Sequence, residues 1–225
     1  DEVVISGFEH NAVWRPLVQI GANVKLAGRK LFDPDDTLEE FRAVIGPETK
    51  AVVCTHVSNV FGYVLPIEKI AALCHERGGP LVVDCSQSAG ILPVSLGKLH
   101  AAFLCMPGHK GLYGPQGTGL LLCCKDTKLY SLMEGGTGSL SLETRQPDFL
   151  PDALESGTLN VPGIAGLREG LRFAAKRREA ILRREQALLA QTAELLSALP
   201  ELELFTGDGC QSGVLSLRPR AGDPA

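Results

Sequence analysis

Six short apolar runs recur between residues 2 and 123: Glu2–Ser6, Asn23–Ala27, Ala51–Thr55, Pro80–Asp84, Ala102–Met106 and Thr118–Cys123. They are rich in Val, Leu and Cys and mostly do not alternate with polar residues. A strand with one wet face alternates, whereas a strand covered on both faces does not. Such runs predict a largely parallel sheet with helices on both faces. The segments between them read as those helices. Thr37-x-x-Glu40 has the form of a capping box opening a helix to about Val44, which Gly46-Pro47 ends. Pro66 suits the first turn of another, whose Ile67, Ile70, Leu73 and Cys74 share one face before Gly78-Gly79. Strand–helix alternation of this kind defines the α/β class. Phe103–Cys123 reads as a hairpin-like pair around a glycine-rich loop, which makes the sheet mixed.

After Gly163 the texture becomes helical. Ile181/Leu182, Leu188/Leu189 and Leu195/Leu196 repeat at heptad spacing. Three heptads serve either a coiled coil or, the reading we adopt, a core-facing helix. Leu202–Phe205 and Gly213–Leu217 then read as strands. The organisation expected is a large domain over residues 1–173 and the start of a smaller α+β domain over 174–225.

Composition removes several classes of function. With 44% hydrophobic and 21% charged residues, the chain is globular rather than disordered. A net charge of −4 provides no basic footprint for nucleic acid. Lys176-Arg177-Arg178 and Arg183-Arg184 alternate with Glu179 and Glu185, as on a solvated helix face. No run has the length of a membrane span, and no signal-peptide pattern opens the chain. The seven cysteines form no C-x-x-C pair and several lie inside apolar strands, which points to a reducing cytoplasm. The five histidines are scattered, so no metal site is expected.

Two residues point to chemistry. Asp84 ends the apolar run Leu81-Val82-Val83, and Lys110 lies in Gly108-His109-Lys110-Gly111. In an open parallel sheet, ligands bind beyond the carboxyl ends of the strands. A lysine amine there can bond to an aldehyde, and a carboxylate can hold a pyridine nitrogen protonated. Pyridoxal 5'-phosphate needs that pair. Asn59, which closely follows another strand, reads either as a cofactor contact or as an Asx turn. His10 reads either as a group over the cofactor ring or as a helix cap.

The stretch Thr55-His56-Val57-Ser58-Asn59-Val60-Phe61-Gly62, the Asp84-x-x-Gln87 element and Gly108-His109-Lys110 together resemble the class V aminotransferases. That group includes cysteine desulfurases and selenocysteine lyases. Glu9-His10-Asn11, Glu134-Gly135-Gly136-Thr137-Gly138-Ser139 and Glu155-Ser156-Gly157-Thr158-Leu159-Asn160 extend the likeness from about Val3 to about Phe173. The resemblance implies the pyridoxal-phosphate fold type I. It gives Lys110 and His10 catalytic roles, Lys110 holding the cofactor and His10 stacking on its ring. Asp84 is implied at the ring nitrogen, and Gln87 and Asn59 at the phenolic oxygen. His109 and Thr158 are implied at the phosphate, with Thr158 reaching across a homodimer and Gly135-Gly136-Thr137 as a second contribution. The implied reaction takes sulfur or selenium from L-cysteine or selenocysteine, leaves alanine, and delivers the sulfur to an acceptor protein. An aminotransferase, another lyase or a catalytically incomplete scaffold are alternatives on the same fold. Two departures stand out. Pro107 replaces a serine two residues before the histidine. The family's catalytic cysteine and carboxylate-binding arginine belong to a C-terminal part this chain does not reach, so both ends are expected to be incomplete.

Overall fold

The computed structural model describes residues 1–125 and 127–222. Its elements run β1 (Glu2–Ser6), α1 (Asn11–Gln19), β2 (Asn23–Ala27), α2 (Pro34–Val44), β3 (Thr49–Thr55), α3 (Ile67–Arg77), β4 (Leu81–Asp84), α4 (Leu96–Leu99), β5 (Phe103–Pro107), β6 (Gly119–Cys123), α5 (Val161–Ser197), β7 (Leu202–Phe205) and β8 (Ser216–Pro219). The first six strands form one sheet in the order β2-β1-β3-β4-β5-β6. Neighbours from β2 to β5 pair in parallel, while β5 and β6 are antiparallel. The mixed sheet and its hairpin-like pair are as the sequence predicts.

Central strands carry the core. Val4, Ile5, Val52, Cys54 and Val83 are fully buried. The expectation of strands covered on both faces holds at β1, whose last four residues are all buried, but not at β4 and β5. There burial alternates, because α2, α3 and α4 pack in succession along one face. On the other face Val53, Val82, Cys105 and Leu121 border an open groove with Ala12 and Val13 of α1.

The helix starts differ from the sequence reading. The cap of α2 is Asp33, whose carboxylate accepts the Asp36 N–H at 3.0 Å, with Pro34 in the first turn. Thr37 lies a turn further in, fully buried, its hydroxyl 2.9 Å from that of Tyr63. Asp33-Pro34 is the stronger start, since it supplies both a cap and a residue lacking an N–H. Pro66 is the cap of α3 rather than a member of its first turn. The boundary expected after Phe173 falls within α5, a continuous helix of 37 residues. The antiparallel pair β7–β8 follows it. No helix among the described residues is long and apolar enough to cross a membrane.

Candidate active site

Because β1, β3, β4 and β5 are parallel, their carboxyl ends open at one edge of the sheet. The chain leaves β1 toward β2 on one side and β3 continues on the other, so the crevice of an open sheet belongs at this reversal. A cleft of about 430 Å³ lies there, lined among others by His10, Asn59, Asp84, Gln87, His109 and Lys110. Every predicted site residue except Thr158 meets in it.

Each side chain is delivered by local structure. Asp84 is the last residue of β4, and its Oδ1 accepts the Ser86 N–H at 2.8 Å, which turns the chain sharply. Gln87 is carried by that turn. Lys110 and His109 lie in the loop between β5 and β6 and are exposed at the lip. Gly108 and Gly111 there make room for protein rather than for a ligand. A Cβ at Gly108 would overlap the Thr118 hydroxyl, and one at Gly111 the Ala89 carbonyl. The lysine loop can therefore fold down onto its own neighbours.

The helix-cap reading of His10 holds. It caps α1, its Nδ1 accepting the Ala12 N–H at 3.1 Å, and it lines the cleft. Since that N–H occupies Nδ1, the proton of the neutral ring resides on Nε2. Asn59 is exposed at the start of a tight turn. Ser58 accepts the Gly62 N–H through its carbonyl at 2.9 Å and the Phe61 N–H through its hydroxyl at 3.2 Å. The turn is thus fastened by Ser58, and the Asx-turn role fell to its neighbour.

Two titratable groups beside the cleft escaped the sequence reading. Glu9 Oε1 accepts the Ser6 hydroxyl at 2.6 Å and the Thr55 N–H, tying the end of β1 to the end of β3. Its Oε2 is enclosed without a partner. Burial, with help from the Asp84 charge, raises the Glu9 carboxyl to about 7, against the pull of its hydrogen bonds. His56, 4% exposed with an unpartnered Nδ1, is pushed by burial down to about 4. An acid directly before His10 and a histidine inside an apolar run were the available signals.

Thr158 is not brought to the cleft. Its loop is tied instead to the other glycine-rich loop, the Gly157 N–H donating to Gly136 O at 2.7 Å. Gln146 joins the same unit, accepting the Gly135 N–H and donating to Asp152 O and Glu155 O. The two loops named together in the sequence therefore form one body, apart from the lysine of their own chain.

The model of the class V aminotransferases matches residues 1–225. The chain belongs to that family. It is 36% identical to a probable cysteine desulfurase of Mycobacterium leprae, over 96% of this chain and 36% of the relative. It is 31% identical to a probable cysteine desulfurase of Methanothermobacter thermautotrophicus, over 100% of this chain and 58% of the relative. The fold matches the apo cysteine desulfurase of Thermococcus onnurineus with a TM-score of 0.85 at 31% identity, over 100% of this chain and 58% of that one. The chain thus spans between a third and three fifths of the length of these relatives. The architecture is that of pyridoxal-phosphate fold type I. The cleft fits the cofactor that the fold implies: it offers one primary amine, one strand-end carboxylate, two amides and two imidazoles in a volume suited to a small ligand.

Proposed function

We propose that this chain is the cofactor-binding part of a pyridoxal-phosphate enzyme of the cysteine desulfurase type, acting in the cytoplasm on L-cysteine or selenocysteine. The observation that carries this reading is the convergence of Lys110 and Asp84 with His10, Asn59, Gln87 and His109 in one cleft. When bound, the cofactor supplies an electron-withdrawing ring for bond breaking at the amino acid's α- and β-carbons. Lys110 Nζ anchors it and moves the proton at the substrate α-carbon. Asp84 holds the proton on the ring nitrogen. The His10 imidazole would stack on the ring, with Nε2 free to move a proton, and Asn59 and Gln87 would orient the phenolic side through their amides. His109 serves the phosphate, and Pro107 offers no hydroxyl to assist it.

Among the described residues, no cysteine and no arginine lines the cleft. Other parts of the protein supply the sulfur-accepting thiol and the carboxylate-binding guanidinium, and the sulfur then passes to an acceptor protein. Thr158 is assigned to the phosphate of the opposite subunit in a homodimer, a reading supported by its separation from the cleft of its own chain.

Borohydride reduction after addition of pyridoxal phosphate, followed by peptide mapping, should leave the pyridoxyl group on Lys110. A label on Lys98 or Lys125 would remove Lys110 from the site. Supplied with L-cysteine and an excess of a dithiol reductant, which is oxidised to its disulfide as it releases the transferred sulfur, the complete protein should form alanine and sulfide in equal amounts. 3-Mercaptopyruvate as product would place it instead with the aminotransferases, and pyruvate with ammonia would place it with other lyases.

A further inference from the structure

The turn that presents Asn59 is bolted to the far end of the chain. Gln211, in the loop between β7 and β8, donates through Nε2 to Phe61 O at 3.1 Å, Phe205 O at 3.0 Å and Val214 O at 2.9 Å. Its Oε1 accepts the Gly207 N–H at 3.0 Å. With three carbonyls on one side and one N–H on the other, the orientation of the amide is fixed by its partners. Around this node the Ser212 N–H donates to Gly62 O and the Val64 N–H to Cys210 O, both at 2.8 Å. Ser216 Oγ donates to Val60 O, and the rings of Phe61 and Phe205 meet edge-on at 5.4 Å.

The pair β7–β8 packs on α5 through β7 and, through Gln211 and Phe205, on the turn that carries a cleft residue. Ser58 fastens that turn internally, so a displacement at Phe61 is passed on to Asn59 rather than absorbed between them. We propose that Gln211 is a positioning residue that fixes Asn59 at the cleft by locking the terminal strand pair to the Ser58–Tyr63 turn. This rests on the cofactor-site reading above.

The test uses the complete protein with Gln211→Met, Asn59→Ala and the double variant, with retained folding checked by thermal melting. Amide hydrogen exchange across Val60–Val64, measured without cofactor, should be about tenfold faster in Gln211→Met, because a local anchor is gone. The Kd for pyridoxal phosphate, from its visible absorbance, should rise about fivefold, the low end of coupling between sites. Added to Asn59→Ala, the same substitution should change Kd no further. Gln211→Glu keeps Oε1 but loses the donors, so it should behave as Gln211→Met does and replaces it if that variant fails to fold. Unchanged exchange, an unchanged Kd, or a full loss repeated on top of Asn59→Ala would each overturn the proposal. Wild-type protein that binds no pyridoxal phosphate would overturn the cofactor reading as well, whereas wild-type binding with an unaltered Kd in Gln211→Met overturns this one alone.

Discussion

Glu9 and His56 titrate in opposite senses, and the fold hides one behind the other. The Glu9 carboxyl is raised from 4.5 to about 7, so its ionisation costs the folded state nothing below pH 4.5 and the full amount above pH 7. His56 is lowered from 6.5 to about 4, so its protonation costs nothing above pH 6.5 and the full amount below pH 4. Each shift corresponds to about 3 kcal/mol. Between pH 4.5 and 6.5 the unfolded chain holds a proton on His56 and the folded chain holds one on Glu9. Their proton counts match, and the two slopes cancel. Glu9→Gln should unmask the histidine, with stability rising by about 3 kcal/mol from pH 4 to 6.5. His56→Asn should unmask the acid, with stability falling by about as much from pH 4.5 to 7. Urea midpoints across that range measure both, and flat profiles in the two variants would contradict the assignment.

At the scale of elements, α5 braces the lysine loop. Its buried residues are Gly163, Leu167, Gly170 and Ala174, and a Cβ on Gly170 would lie 2.5 Å from Leu112 O and 2.6 Å from Tyr113 O. The helix backbone therefore sits directly on the chain that follows Lys110. Alanine at position 170 gains about 1 kcal/mol of helix preference. Overpacking costs about 1–3 kcal/mol and outweighs it. Gly170→Ala should lower the melting temperature, and a rise would mean that the lysine loop yields freely. The heptad leucines identified a helix here but not its buried face. Leu188 and Leu195 are 43% and 67% exposed. The contact is made by Leu167 together with Gly163, Gly170 and Ala174, and one leucine among small residues leaves no hydrophobic period to read.

At the scale of the molecule, the segment 132–161 that carries Thr158 exposes several large apolar side chains. Leu132 and Leu142 are 99% exposed, and Met133, Leu150 and Val161 are each well over half exposed. In the homodimer proposed above, the two-fold would give each cleft a reciprocal contact from this segment. Mixing a Lys110→Ala subunit with a Thr158→Ala subunit leaves one of the two shared sites with both residues intact. Activity should partly return in the mixed dimer. No recovery despite confirmed heterodimer formation would mean that Thr158 does not act across the interface.

The sequence by itself determined the strands, the class of sheet and most of the cleft. Asp84 and Lys110 follow strands directly, and parallel strands end at one edge, so position along the chain already implied position in space. Tertiary structure alone decided the rest. Whether Glu9 holds a proton depends on enclosure by β1 and β3, which no local pattern records. Thr37 looked like a cap until Asp33-Pro34 supplied a better one and Tyr63 claimed its hydroxyl. Gln211 is distant in sequence from Phe61 and became its partner only because the terminal strands fold back. Local propensity and period act over a few residues, whereas burial and long-range hydrogen bonding are settled when distant segments meet.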